Sequence, residues 1–223
     1  MEAIRFETED GLKLEGEVHV PDQTPIGSAV ICHPHPQYGG SKDHPLLWAI
    51  RIDLVRRRFT VLAFNFRGVM GSEGTYGRGI EEAKDVRAAI GRVREEEDGP
   101  TFLCGWSFGA YVALRTALDD ERVGALALVA LPLHEATVGP SSLPDITGAE
   151  RLQTFDRPVL LLAGDGDPYC PIPNLLVVAG RLPRSTVEIV ANADHYFAKR
   201  EREAAQIVGS FAERMLLNRP GGQ

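Results

Sequence analysis

Cysteine is scarce in this chain: Cys32, Cys104 and Cys170 are the whole set among 223 residues. Three is an odd number, the spacings are wide, and Cys32 and Cys104 sit in apolar runs. That excludes a disulfide framework and a zinc-ligand pattern, and reads both as small buried hydrophobes. No apolar run approaches the ~18 residues that cross a bilayer. Basic residues are also short: 24 Lys and Arg stand against 31 Asp and Glu, for a formal charge of −7. This weighs against nucleic acid and anionic membrane as partners. The one basic run, Arg56-Arg57-Arg58, closes a helical pattern, where cations suit the helix dipole. The opening Met1-Glu2-Ala3-Ile4-Arg5 lacks a basic-then-apolar pattern, so no secretory signal and a reducing, cytoplasmic location are expected.

What is present reads as one globular domain over 1–219, with a frayed tail at 220–223. Residues 3–8 and 12–20 alternate around Asp10-Gly11, a hairpin signal. Ser28–Cys32, Thr60–Phe64, Thr101–Cys104, Val123–Ala130, Pro158–Ala163 and Thr186–Val190 are short apolar runs of the kind buried on both faces of a parallel sheet. Helical patterns lie between them: Leu46–Arg58, Ile80–Glu97 with Ile80, Ala83, Val86, Ala89, Ile90 and Val93 on one side, Phe108–Leu118, Ile172–Leu182 and Glu201–Leu217. Strands alternating with helices predict an α/β fold, a mostly parallel, doubly wound sheet with an antiparallel N-terminal hairpin. The irregular stretch 132–155 is a short insertion.

The most informative segment is Gly105-Trp106-Ser107-Phe108-Gly109. A G-x-S-x-G between a strand and a helix forces the serine onto a sharp turn, with its hydroxyl at the top of the sheet. A serine needs a base, and the base needs an orienting partner. In an open parallel sheet such groups follow the carboxyl ends of strands. After the run 158–163 comes Gly164-Asp165-Gly166-Asp167; after 186–190 comes Ala193-Asp194-His195. Ser107, Asp167 and His195 are therefore the expected catalytic set, with Asp165 the second candidate for the acid and Asp194 a turn residue. For the oxyanion hole, the first backbone N–H expected is that of Phe108. The second should come from His33-Pro34-His35-Pro36-Gln37-Tyr38-Gly39-Gly40, where the prolines have none to give; Gln37 ranks first, then Tyr38 and His35. His33, His35 and His44 invite a metal reading, but only Asp43 lies near and no ligand spacing is present. They read instead as a rigid turn whose imidazoles bond backbone. No metal and no cofactor are expected. Arg67 is expected to pair with Glu73 or Asp85 and so hold the glycine-rich loop.

With these residues in view, the chain resembles the α/β-hydrolase superfamily from Ser28 to Leu217. It is more closely similar to small bacterial hydrolases of that fold, largely uncharacterised, with an H-P-H-P-x-[YF]-G-G loop (His33–Gly40), an N-F-R-G-V-G-x-S-x-G loop (Asn65–Gly74) and a G-x-S-F-G-A elbow (Gly105–Ala110). Met70 departs from that pattern as one extra residue between Val69 and Gly71. The resemblance implies an eight-stranded sheet, a Ser-His-Asp triad and, with only 132–155 available for a lid, a minimal cap over an open site suited to small or exposed acyl groups. The expected function is a serine hydrolase acting on a small-molecule carboxylic ester. The alternatives are a thioesterase, a peptidase or amidase, and a non-catalytic binding protein on the same scaffold.

Overall fold

The computed structural model describes residues 1–133, 143 and 150–217. In chain order the elements are β1 (Glu2–Glu7), β2 (Lys13–His19), β3 (Gly27–Cys32), α1 (Pro45–Arg56), β4 (Phe59–Phe64), α2 (Glu82–Arg94), β5 (Thr101–Trp106), α3 (Phe108–Ala117), β6 (Val123–Val129), β7 (Val159–Gly164), α4 (Ile172–Ala179), β8 (Ser185–Val190) and α5 (Glu201–Leu217). The strands form one sheet in the order β1-β2-β4-β3-β5-β6-β7-β8. β1–β2 and β2–β4 pair antiparallel, and every later pair is parallel. The expected eight-stranded, doubly wound sheet with an antiparallel leading hairpin is what the chain forms. At the hairpin turn Gly11 takes φ 81°, and Thr8 Oγ1 donates to Asp10 Oδ1 at 2.6 Å.

The central strands are mostly apolar on both faces because alternate side chains serve two separate cores. Val30, Leu62, Phe64, Leu103, Leu126 and Leu161 face one layer, with Val86 and Ile90 of α2, Val112 of α3 and Leu175 of α4. Ile31, Val61, Ala63, Phe102, Ala127 and Leu162 face the other, with Ile50 and Leu54 of α1 and Val208 and Phe211 of α5.

Element ends differ from the sequence reading in informative ways. α1 begins at Pro45, with His44 as its cap accepting a hydrogen bond from Leu46 N–H. Pro at the first helical position needs no acceptor. α2 begins at Glu82 rather than Ile80, and Ile80, expected on the apolar side, is exposed. The basic run does more than suit a dipole: Arg57 reaches Asp53 Oδ2 at 2.7 Å and Glu213 Oε2 at 2.5 Å, clamping α1 to α5. Of the expected insertion 132–155, residues 134–142 and 144–149 lie outside the described residues, as does the tail at 220–223.

Candidate active site

Ser107 stands alone between β5 and α3, at φ 55° and ψ −119°. A non-glycine residue held there stores about 1–3 kcal/mol of strain, tolerated only where its surroundings enforce it. Here they do. A Cβ on Gly105 would lie 2.2 Å from Gly109 O, and one on Gly109 would lie 2.3 Å from Cys32 O. The two glycines let α3 start directly against the ends of β5 and β3, and Ser107 N–H is fixed on Val129 O at 2.9 Å.

His195 Nε2 lies 2.9 Å from Ser107 Oγ, and His195 Nδ1 lies 2.8 Å from Asp167 Oδ2. Asp167 Oδ1 accepts from Tyr169 N–H at 2.8 Å and Cys170 N–H at 3.1 Å. A carboxylate that accepts throughout assigns the imidazole proton to Nδ1 and leaves Nε2 to accept from the Ser107 hydroxyl. All three side chains come from loops after strand carboxyl ends, 60 and 28 residues apart in sequence. The other aspartates have different work. Asp165 is exposed and accepts from Ala193 N–H at 3.3 Å, while Asp194 accepts from Tyr196 and Ala198 N–H. The two loops interlock: Gly166 N–H donates to Ala193 O at 3.0 Å, Trp106 Nε1–H donates to His195 O at 3.0 Å, and Gly164 leaves no room for a Cβ against Ala193 O.

Residues 29–215 match the family model described as alpha/beta hydrolase domain. The chain belongs to the alpha/beta hydrolase family. It is 24% identical to an uncharacterised Rickettsia prowazekii protein over 95% of this chain and 88% of that one. Among solved structures, a Xanthomonas campestris protein described as an a/b serine hydrolase without lid superposes with a TM-score of 0.81 at 24% identity, covering 98% of this chain and 96% of that one. The Pyrococcus furiosus esterase Pf2001 does so with a TM-score of 0.81 at 19% identity, covering 96% and 92%.

In this alpha/beta hydrolase the loop after β3 is ordered by its histidines. Buried His33 accepts from Phe66 N–H through Nε2 at 3.0 Å and donates through Nδ1 to Pro34 O at 2.6 Å. Burial holds its pKa down at about 4, so the ring is neutral. His35 caps a short turn over Pro36–Tyr38, accepting from Gln37 N–H at Nδ1. That places its proton on Nε2, which donates to Tyr76 Oη at 3.0 Å. The lone pairs a metal would need on His33, His35 and His44 thus carry backbone bonds. The same turn occupies the two amides ranked first for the oxyanion hole. Gln37 N–H points to His35 Nδ1 and Tyr38 N–H to His35 O, because a tight turn consumes its own second and third amides. The N–H of His35, third in the sequence ranking, has no hydrogen-bond partner among the described residues. Its ring packs on Phe108 at 5.0 Å between centroids, and the Phe108 N–H is one of the unpaired donors of a helix start.

Two buried ion clusters tie this side of the site to the sheet. Arg67 donates through Nε and Nη2 to Asp85 Oδ1 at 2.9 and 2.6 Å, and its own N–H donates to Asp85 Oδ2. Asp10 takes two further bonds from the same guanidinium. Of the two acids expected for Arg67, Asp85 is the partner; Glu73 instead accepts from Lys13 N–H. Burial pushes the Asp85 carboxyl up to about 6 against the pull of Arg67, which still leaves the pair ionised at neutral pH. The second cluster has no local signal in the sequence. Glu17 on β2 accepts from Lys42 Nζ at 2.7 Å and from fully buried Arg51 at 2.6 Å, and Arg51 also holds Lys42 O. Burial favours the neutral form of Glu17, yet Lys42 and Arg51 outweigh it and hold the carboxyl below its ordinary value. Met70, the extra residue, sits at φ 48° with its side chain 77% exposed, so the loop takes it up as an outward bulge.

Proposed function

We propose that this chain is a serine hydrolase that cleaves carboxylic esters of small molecules through an acyl-enzyme, with Ser107, His195 and Asp167 as the triad. The observation that carries the reading is the unbroken hydrogen-bond chain from Ser107 Oγ through His195 to Asp167. Ser107 Oγ attacks the ester carbonyl carbon while its proton passes to His195 Nε2. Asp167, fixed by two backbone amides, keeps the ring in the productive tautomer and stabilises the imidazolium. The tetrahedral oxyanion takes hydrogen bonds from the N–H of Phe108 and the N–H of His35, with the α3 N-terminus adding its dipole. His195 returns the proton to the leaving alkoxide oxygen and the ester C–O bond breaks. Water, deprotonated by the same imidazole, then attacks the acyl-enzyme, releasing the acid and restoring Ser107.

The lidless Xanthomonas campestris structure and the short interval between β6 and β7 support an open site for small or exposed acyl groups. We assign residues 1–219 to one domain, with 132–155 as its minimal cap, working in the cytoplasm without cofactor. Among the described residues no helix is long and apolar enough to cross a membrane.

The test is labelling with a fluorophosphonate probe together with turnover of short p-nitrophenyl esters. Wild type should label on Ser107 and hydrolyse the panel. Ser107→Ala should lose the label and at least about 10³-fold in kcat. A folded wild-type protein that neither labels nor turns over any ester rejects the reading.

A further inference from the structure

The aromatic side chains of this molecule are unevenly placed. The chain has five tyrosines, and four of them, Tyr38, Tyr76, Tyr169 and Tyr196, lie against the rings of His35 or His195. Two of these flank the base itself. The Tyr169 ring lies 4.9 Å from His195 at 62°, and the Tyr196 ring 5.6 Å away at 88°. Tyr196 also packs edge-on to Trp106 at 6.0 Å. Despite these contacts, Tyr169 is 49% and Tyr196 54% exposed, so both present aromatic surface to whatever occupies the site. Neither backbone is free to drift. Tyr169 N–H donates to Asp167 Oδ1 and Tyr196 N–H to Asp194 Oδ1, so the turns that hold the acid and the base also carry the two rings.

Reaction chemistry says which half of a substrate meets them. The oxyanion points toward the Phe108 and His35 amides. The leaving oxygen must come within hydrogen-bond reach of His195 Nε2 to receive its proton. The alcohol half of the ester therefore runs past the imidazole, whose ring is flanked by the half-exposed Tyr169 and Tyr196. Resting on the serine-hydrolase reading above, we infer that these two tyrosines select esters whose alcohol carries a planar aromatic ring, such as an arylmethyl ester. The ring packs offset or edge-on against them, and the hydrolysis is RCO–OCH2Ar plus water to RCO2H plus ArCH2OH. Aromatic pairs are favoured beyond the area they cover, enough for a preference of about 2- to 12-fold over an alkyl group of the same size.

Benzyl acetate and cyclohexylmethyl acetate test this directly. They share the acyl group and the carbon count, and both release a primary alkoxide, so their intrinsic reactivities are close. Wild type should show a kcat/KM ratio favouring benzyl by about 2- to 12-fold. Tyr169→Leu and Tyr196→Leu should each lower that ratio, and the double variant should bring it near one. Tyr169→Phe and Tyr196→Phe, which keep the ring, should retain it. The fluorophosphonate labelling rate of Ser107, which involves no aromatic leaving group, reports that the site is intact in each variant. A wild-type ratio near one with Ser107 labelled overturns this inference alone, as does a ratio that survives in the double Leu variant. Loss of both labelling and hydrolysis in the wild type overturns the serine-hydrolase reading and this inference with it.

Discussion

The two banks of the active site are held in different ways. On the bank from β2, β3 and β4, charged side chains do the holding: Arg67 with Asp85 and Asp10, and Glu17 with Lys42 and Arg51. On the bank from β5, β7 and β8, where Ser107, Asp167 and His195 sit, main-chain groups take part in almost every tie. Gly166 meets Ala193 and Gly105 meets Gly109 at main-chain distance, and the Trp106 indole holds the His195 carbonyl. An ion pair away from water is strong only while both partners keep their charge, and losing one partner leaves the other stranded. Main-chain contacts do not titrate. The frame of that bank is thus independent of pH and salt, while the ion pairs behind the His33–Gly40 loop depend on both.

The largest expected effect tests the backbone-held bank. Asp167→Ala should lower kcat on p-nitrophenyl acetate by about 10³- to 10⁴-fold, since the imidazole loses its tautomer and orientation. Its melting temperature should move much less, and a comparable loss of stability would show that this bank too is held by charge. On the other bank the order should reverse. Asp85→Ala removes the buried carboxylate of Arg67, leaving the guanidinium with Asp10, and should cost about 3 kcal/mol in urea unfolding, while Ser107 labelling in the folded protein slows far less than in Asp167→Ala.

Acid sharpens the contrast. His33 is protonated near 6.5 when unfolded but only at about 4 when folded. Its contribution is therefore present above 6.5 and lost as pH falls toward 4, a change of about 3 kcal/mol. Asp85, raised to about 6, has the opposite sign: its contribution is present below 3.8 and lost as pH rises through 6. Only a difference isolates His33. The stability gap between wild type and His33→Gln should shrink by about 3 kcal/mol between pH 7 and pH 4; a constant gap would mean that the buried ring does not resist protonation. The smallest effect concerns the loop's tie to Tyr76. Tyr76→Phe removes one neutral hydrogen bond to His35 and should lower kcat by about 2- to 10-fold with KM little changed. An altered KM with unchanged kcat would assign Tyr76 to substrate contact instead.

The fold was legible because continuous apolar strands and 3.6-residue helices are local patterns. The sharp turn at Ser107 was legible because its glycines answer a local steric demand, and the meeting of Asp167 and His195 with it because chain order places them after strand ends. The Glu17–Lys42–Arg51 cluster was not legible: its members are 25 and 34 residues from Glu17, and nothing in a charge's own neighbourhood announces a partner across a sheet. Gln37 and Tyr38 were preferred as donors because each has an N–H. What the sequence reading did not anticipate is the turn that His35 caps, which occupies both amides. A signal for it was present, since His35-Pro36 and His44-Pro45 both place a side-chain acceptor just before a proline, the pattern of a cap followed by a first helical residue. Ile80 failed for the opposite reason: its spacing fits the helix, but the chain had not yet entered it.

The direct approach of Gly109 to the Cys32 carbonyl sets the distance between the start of α3 and the loop after β3, the two places proposed to furnish the oxyanion donors, by peptide contact alone. On the reading proposed above, substitutions in the surrounding tyrosines would retune which molecules enter without disturbing that spacing. An enzyme built this way can change its diet while its reaction centre stays fixed.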